Sequence, residues 1–170
     1  MNDKAPPIEN LRIIKVATCP SLSRASQITY HLALKEDDEQ VYLRIAGNSG
    51  GGLFAKECVA LDAIITAIQD QGDQPITGKT LRPLFRGKSA NTPGFALAVA
   101  RDLGLIVARP GTDGGYQGGN AQRCREAIAA LIAAGTAIPV ADPVNGRHVP
   151  MAKRATAAPA PARRGSRSNP

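Results

Sequence analysis

From Ile28 to Ile45 apolar and polar positions alternate. Ile28, Tyr30, Leu32 and Leu34 interleave with Thr29, His31, Ala33 and Lys35, and Val41, Leu43 and Ile45 interleave with Tyr42, Arg44 and Ala46. A period of two places each set on one face of a strand. Between the runs, Glu36-Asp37-Asp38-Glu39 suits an exposed turn. The pattern predicts a β-hairpin with one apolar face, His31 and Tyr42 on the other, and a preceding strand over Arg12–Thr18 ended by Cys19-Pro20. After the break at Gly47-Asn48-Ser49-Gly50-Gly51-Gly52 the period changes. Phe54, Cys58, Leu61, Ile64, Ile65 and Ile68 recur at helical spacing, which predicts an amphipathic helix that covers the hairpin and ends at Gly72-Asp73-Gln74-Pro75.

Two helices and two short strands should follow. The first helix spans residues 80–86, with Thr80 as its cap, Pro83 in its first turn and Gly87 as its end. Thr92-Pro93 starts the second, a capping oxygen followed by a pre-set φ, and Gly104 stops it. Leu105–Arg109 reads as a strand, residues 110–115 as a tight Gly-rich tip, and Tyr116-Gln117 as the return. Asn120 caps a last helix carrying Cys124, Ile128, Leu131 and Ile132 on one face, with Gly135 at its end. Over residues 53–117 this order resembles a winged helix-turn-helix. The resemblance implies that the second helix of the motif turns its N-terminal end to a DNA major groove and that the loop at 110–115 is the wing.

Charge sharpens that expectation. The chain has 170 residues and a formal net charge of +7, but the excess is not spread evenly. Residues 1–75 carry seven Lys/Arg against ten Asp/Glu, whereas residues 76–109 carry Lys79, Arg82, Arg86, Lys88, Arg101 and Arg109 against Asp102 alone. Residues 151–170 add Lys153, Arg154, Arg163, Arg164 and Arg167 with no acid. Clustered cations suit a polyanion, because each neutralised phosphate releases counterions; the bland reading is a solvated face that aids solubility. Asn91 and Thr92 could reach a base edge or cap their helix. The remainder, Phe95-Ala96-Leu97-Ala98-Val99-Ala100, has hardly a side chain that reads a base, so contacts should go to phosphate with weak sequence preference.

Other motifs fall short of chemistry. Gly47-Asn48-Ser49-Gly50-Gly51 matches the peptide around a trypsin-like serine nucleophile, but only His31 lies upstream and a helix is expected downstream. A middle reading gives its backbone N–H groups an anion such as a phosphate. Thr77-Gly78-Lys79-Thr80 lacks the first glycine of a phosphate-binding P-loop, because position 73 is Asp. Cys19-Pro20-Ser21-Leu22-Ser23-Arg24 has one residue too few for a phosphatase loop, and Ser21, Ser23, Arg24 and Ser26 read as a polar loop open to a second phosphate or a partner. Tyr42 and Tyr116 are left to meet a partner, Tyr42 with Arg44 as a stacking pair for single-stranded nucleic acid. Cys19, Cys58 and Cys124 show no C-x-x-C spacing, and Cys58 and Cys124 fall on apolar helix faces.

The reading is an α+β protein. Residues 1–10 form a disordered N-terminus, 11–48 a strand plus β-hairpin, 53–135 a winged-helix-like domain in one fold with it, and 136–170 a disordered Ala/Pro/Arg-rich tail. No catalytic constellation, cofactor or metal site is expected, and no stretch is long and apolar enough to span a membrane. The expected activity is non-enzymatic DNA binding in the bacterial cytoplasm (nucleoid), as a transcription regulator or nucleoid-type accessory protein. Its expected contacts are Lys79, Arg82, Arg86, Lys88, Asn91, Thr92, Arg101 and Arg109, with Arg163, Arg164 and Arg167 of the basic tail. The alternative is a protein-interaction module, an inhibitor or adaptor on the same scaffold; a homodimer fits either.

Overall fold

Three nine-residue strands build the framework: β1 (Arg12–Pro20), β2 (Gln27–Lys35) and β3 (Gln40–Asn48). They pair antiparallel in sequence order, and the two-residue β4 (Val59–Ala60) lies on the far edge of β3. The computed structural model describes residues 6–85, 89–111 and 115–139. The expectations for Arg86, Gly87, Lys88, the loop tip at 112–114 and the segment 140–170 lie outside these residues, as does residues 1–5 of the expected disordered N-terminus. Ile8–Asn10 form a 3-10 turn. At the other end, the Ile138 N–H donates to the Ile13 carbonyl (2.9 Å) and Arg12 donates to the Thr136 carbonyl (2.7 Å), so residues 136–138 run along the outer edge of β1.

Helices fill the inner side of the sheet. They are α1 (Leu61–Gln69), α2 (Gly78–Leu81) with a 3-10 turn at Arg82–Phe85, α3 (Thr92–Asp102) and α4 (Ala121–Ala133). A separate two-stranded ribbon, β5 (Ile106–Ala108) and β6 (Tyr116–Gly118), is joined by a bridge between Ile76 and Tyr116. The chain is therefore mixed α+β. Its main core gathers Ile28, Tyr30, Leu32 and Leu34 of β2 with Leu43 and Ile45 of β3, Ile64, Ile65 and Ile68 of α1, Ala96–Ala100 of α3, and Cys124 and Ile128 of α4.

Two predicted elements differ from the pattern that suggested them. The helix expected from Phe54 begins only at Leu61, because residues 53–58 run without regular structure and Val59–Ala60 pair with Leu43–Tyr42 of β3. Sheet pairing thus overrides a helical spacing that happens to include Phe54 and Cys58. The hairpin's second face is also covered. Leu11, Ile13, Ala33, Tyr42 and Cys58 form a second apolar cluster with Ile8 and Ile138 packed on it. Tyr42, left to meet a partner in the expectation, is buried within this cluster, and His31, expected to be exposed, is buried as well.

Local chemistry fixes the other boundaries. Asn120 Oδ1 accepts from the Arg123 N–H (2.9 Å), capping α4 as expected. The cap of α2 is Thr77 and not Thr80. The Thr77 hydroxyl accepts from the Lys79 N–H (3.3 Å), while the Thr80 hydroxyl, at the third helical position, accepts from the Thr77 N–H (3.1 Å). After α3 the chain turns at Gly104 (φ +73°), and the strand return crosses it at Gly119. A Cβ on Gly119 would stand 2.2 Å from the Gly104 carbonyl oxygen, so two backbones meet where only glycine fits.

Candidate functional site

The basic segment does not come to one surface as a block. Lys79 on α2 and Arg82 at the start of the following 3-10 turn are exposed and make no ion pair among the described residues. Three positions apart on one helical turn, they share a side of the molecule. Arg101 and Arg109 are half-buried and engaged elsewhere. Arg101 donates to the Pro20 carbonyl at the end of β1 (3.2 Å) and to the Tyr116 hydroxyl on the ribbon (3.5 Å). Arg109 donates to the Asp73 carbonyl beyond α1 (3.0 Å). Arg86, Lys88, Arg163, Arg164 and Arg167 lie outside the described residues.

Helix α3 is not disposed as a groove reader. Successive α-helical residues are about 100° apart, so five in a row sample the whole circumference. Ala96, Leu97, Ala98, Val99 and Ala100 are all buried, each at most 1 % exposed. The three long strands and α2 all pack near the helix. A helix this apolar all round belongs in a core. Its N-terminal end is occupied too. Thr92 is buried, and its hydroxyl accepts from the Ala55 N–H (2.9 Å), so it neither caps α3 nor faces outward. Asn91 is exposed at the helix start, with its amide donating to the Leu53 carbonyl (3.2 Å).

The C-terminal end of α3 is fastened to the sheet by a second bond. The Tyr30 hydroxyl, in the core, donates to Asp102 Oδ2 (2.7 Å). Burial first, and then this bond to a carboxylate, push the Tyr30 pKa up. Cys19 beside it is pushed up to about 11, chiefly by burial and then by Asp102, with Arg101 opposing. Burial also raises Cys58 to about 11. These thiols are core groups, held in the protonated, unreactive form. The Tyr30–Asp102 bond joins residues 72 apart in sequence, and no local pattern signals it.

The short motifs resolve into structural roles. Ser49 Oγ accepts from the Gln27 N–H (2.8 Å), and the Ser49 N–H donates back to the Gln27 carbonyl (2.9 Å), which closes the β2–β3 ladder. His31 pairs across with Arg44, five positions along β3 from Ser49. The turn after β1 closes on itself through Ser21 N–H to Ser26 carbonyl (2.8 Å) and Arg24 N–H to Ser21 carbonyl (2.9 Å). Thr77-Gly78-Lys79-Thr80 is the α2 capping box described above. Among the described residues no helix is long and apolar enough to cross a membrane, and no group of three or more His, Cys, Asp and Glu could hold a metal ion. Comparison with protein-family models, curated proteins and solved structures finds no match to this chain.

Proposed function

We propose that the chain is a non-enzymatic DNA-binding protein of nucleoid-accessory type, acting in the bacterial cytoplasm, whose contacts go to the phosphate backbone. The observation that carries this reading is the segregation of charge: six cations against one acid in residues 76–109 and five against none in residues 151–170, with Lys79 and Arg82 exposed. The element order α1, Ile76, α2, α3, β5, β6 supports a winged-helix reading of residues 53–117. Burial of Ala96–Ala100 argues against a base-reading role for α3, so a nucleoid-type accessory protein is favoured over a sequence-specific regulator.

Lys79 and Arg82, together with Arg86, Lys88 and the tail cations Arg163, Arg164 and Arg167, supply the phosphate contacts in this reading, with Asn91, exposed at the start of α3, as a further contact. Arg101 and Arg109, tied to backbone carbonyls, act mainly through the scaffold. A gel-shift with random-sequence duplex at two ionic strengths tests it. The expected result is retardation in dilute buffer that falls steeply with salt. Absence of any shift at low salt would move the assignment to the second reading, a protein-interaction module. That reading draws on an open groove of about 790 Å³ between Pro6–Glu9 and Phe54–Cys58.

A further inference from the structure

Three loops that are far apart in sequence meet at one end of the sheet: the β1–β2 turn (21–26), the β3–β4 loop (49–53) and the residues before α3 (89–91). Ser49 bonds Gln27 in both directions, at 2.8 and 2.9 Å. A Cβ added to Gly50 would stand 2.8 Å from Ser26 Cβ, and one on Gly52 would lie 3.6 Å from Asn91 Nδ2. Asn91 and Ser89 both donate to the Leu53 carbonyl. The surface so assembled is rich in Ser, Asn and Gly, carries the exposed Leu53 side chain (84 %) at its margin, and leaves the Arg24 side chain exposed and in no hydrogen bond or ion pair among the described residues.

The charge pattern gives this end a sign. The chain has no Asp or Glu from Asn10 to Lys35, from Gln40 to Lys56, or from Gln74 to Arg101. All three loops fall inside those acid-free stretches. The acids Glu36, Asp37, Asp38 and Glu39 form the turn at the opposite end of β2 and β3, roughly 25 Å away at the rise of a strand. Arg101 also reaches the loop end through the Pro20 carbonyl (3.2 Å), but Asp102 beside it, bonded to the Tyr30 hydroxyl (2.7 Å), balances its charge, so among the described residues the free cation of this end is Arg24. A polyanion meets Arg24 and no acid of the three loops at this end, and the four acids of the turn at the other.

We propose that the loop end is where the phosphates of a DNA duplex rest, and that Arg24 makes a phosphate contact from outside the basic segment 76–109. The proposal rests on the phosphate-binding reading above and adds to it a surface contributed by the N-terminal sheet. Small Ser, Asn and Gly side chains let a sugar-phosphate strand approach the backbone, and Arg24 supplies a fork of N–H donors to its oxygens.

The test compares wild type, Arg24→Gln and Lys35→Gln by fluorescence anisotropy with a labelled random duplex across a salt series. Lys35 is the control: it lies at the acidic end, bonded to Asp38 (2.6 Å), and its loss changes net charge equally. Arg24→Gln is expected to weaken binding several-fold and to lower the slope of log K against log salt by about one, with Lys35→Gln near wild type. Circular-dichroism melts of both variants should superimpose on wild type. Equal effects of the two variants would reduce the result to net charge and overturn the surface, as would an unchanged slope in Arg24→Gln. Absence of binding by wild type itself would instead remove the underlying function.

Discussion

Replacing Ala98 by Lys separates a buried α3 from a groove-reading one. On a helix presented to DNA, an added lysine would sit in solvent and strengthen phosphate contact. Ala98 is 0 % exposed, with Leu97 at 1 % and Val99 at 0 % flanking it about 100° to either side. The four-carbon stem must therefore enter a filled core, which costs about 1–3 kcal/mol in overpacking. The one acid on α3, Asp102, lies a turn further on at the exposed end of the helix and accepts from Tyr30 through Oδ2, so the stem must displace packed side chains to bring its ammonium there; a charge held short of that partner costs several kcal/mol more. The sum, about 4 kcal/mol or greater, is a large share of the roughly 5–15 kcal/mol that holds a domain folded. Thermal and urea unfolding followed by circular dichroism should show a midpoint lowered by roughly 10 °C or more, or no cooperative transition at all. A variant that melts within about 2 °C of wild type and binds duplex more tightly would refute the buried-helix account.

Tyr30→Phe keeps the buried ring and removes only the bond to Asp102. Because Asp102 is exposed and regains water, the loss should fall near the low end for charged partners, about 1.5 kcal/mol by urea titration. It should be non-additive with Asp102→Asn. Stability should also fall at alkaline pH. The Cys19 and Cys58 thiols are raised from 9.0 to about 11, and Tyr30 is raised as well, so the unfolded chain releases these protons first. Their contribution is whole below pH 9 and declines as pH climbs through 11, which melting midpoints between pH 8 and 11 would register; a flat profile would contradict it. Gly119→Ala forces a methyl to 2.2 Å from the Gly104 carbonyl oxygen and should cost about 3 kcal/mol, seen as a lowered urea midpoint.

Features set by a few adjacent residues were legible in the sequence. Asn120 at the start of α4, Gly104 and Gly135 at helix ends, and the alternation of β2 and β3 all act through local backbone geometry. Features set by remote partners were not. His31 and Tyr42 alternate with the inner residues as exposed positions would, yet both are buried, Tyr42 in a cluster with Cys58 on which Ile8 and Ile138 pack. Thr92-Pro93 carries a helix-start signature, but the hydroxyl is drawn to Ala55, 37 residues upstream. The cations of residues 76–109 were readable as a cluster in sequence. Which of them reach solvent was not, because Arg101 and Arg109 are claimed by carbonyls from other elements. The apolar run Phe95–Ala100 did signal a helix poor in base-reading groups; that the N-terminal sheet lies over it follows from packing alone.

The bond from Ile138 to Ile13 has a consequence for how the molecule behaves in a crowd. A naked outermost strand offers unpaired amides and carbonyls to any neighbour, a common route to stacking and precipitation. Here the segment after α4 lies along β1 and, with the Arg12 guanidinium on Thr136, occupies part of that margin. Shortening the protein to end at Gly135 would strip this guard while leaving every helix intact, and the product should self-associate as its concentration rises.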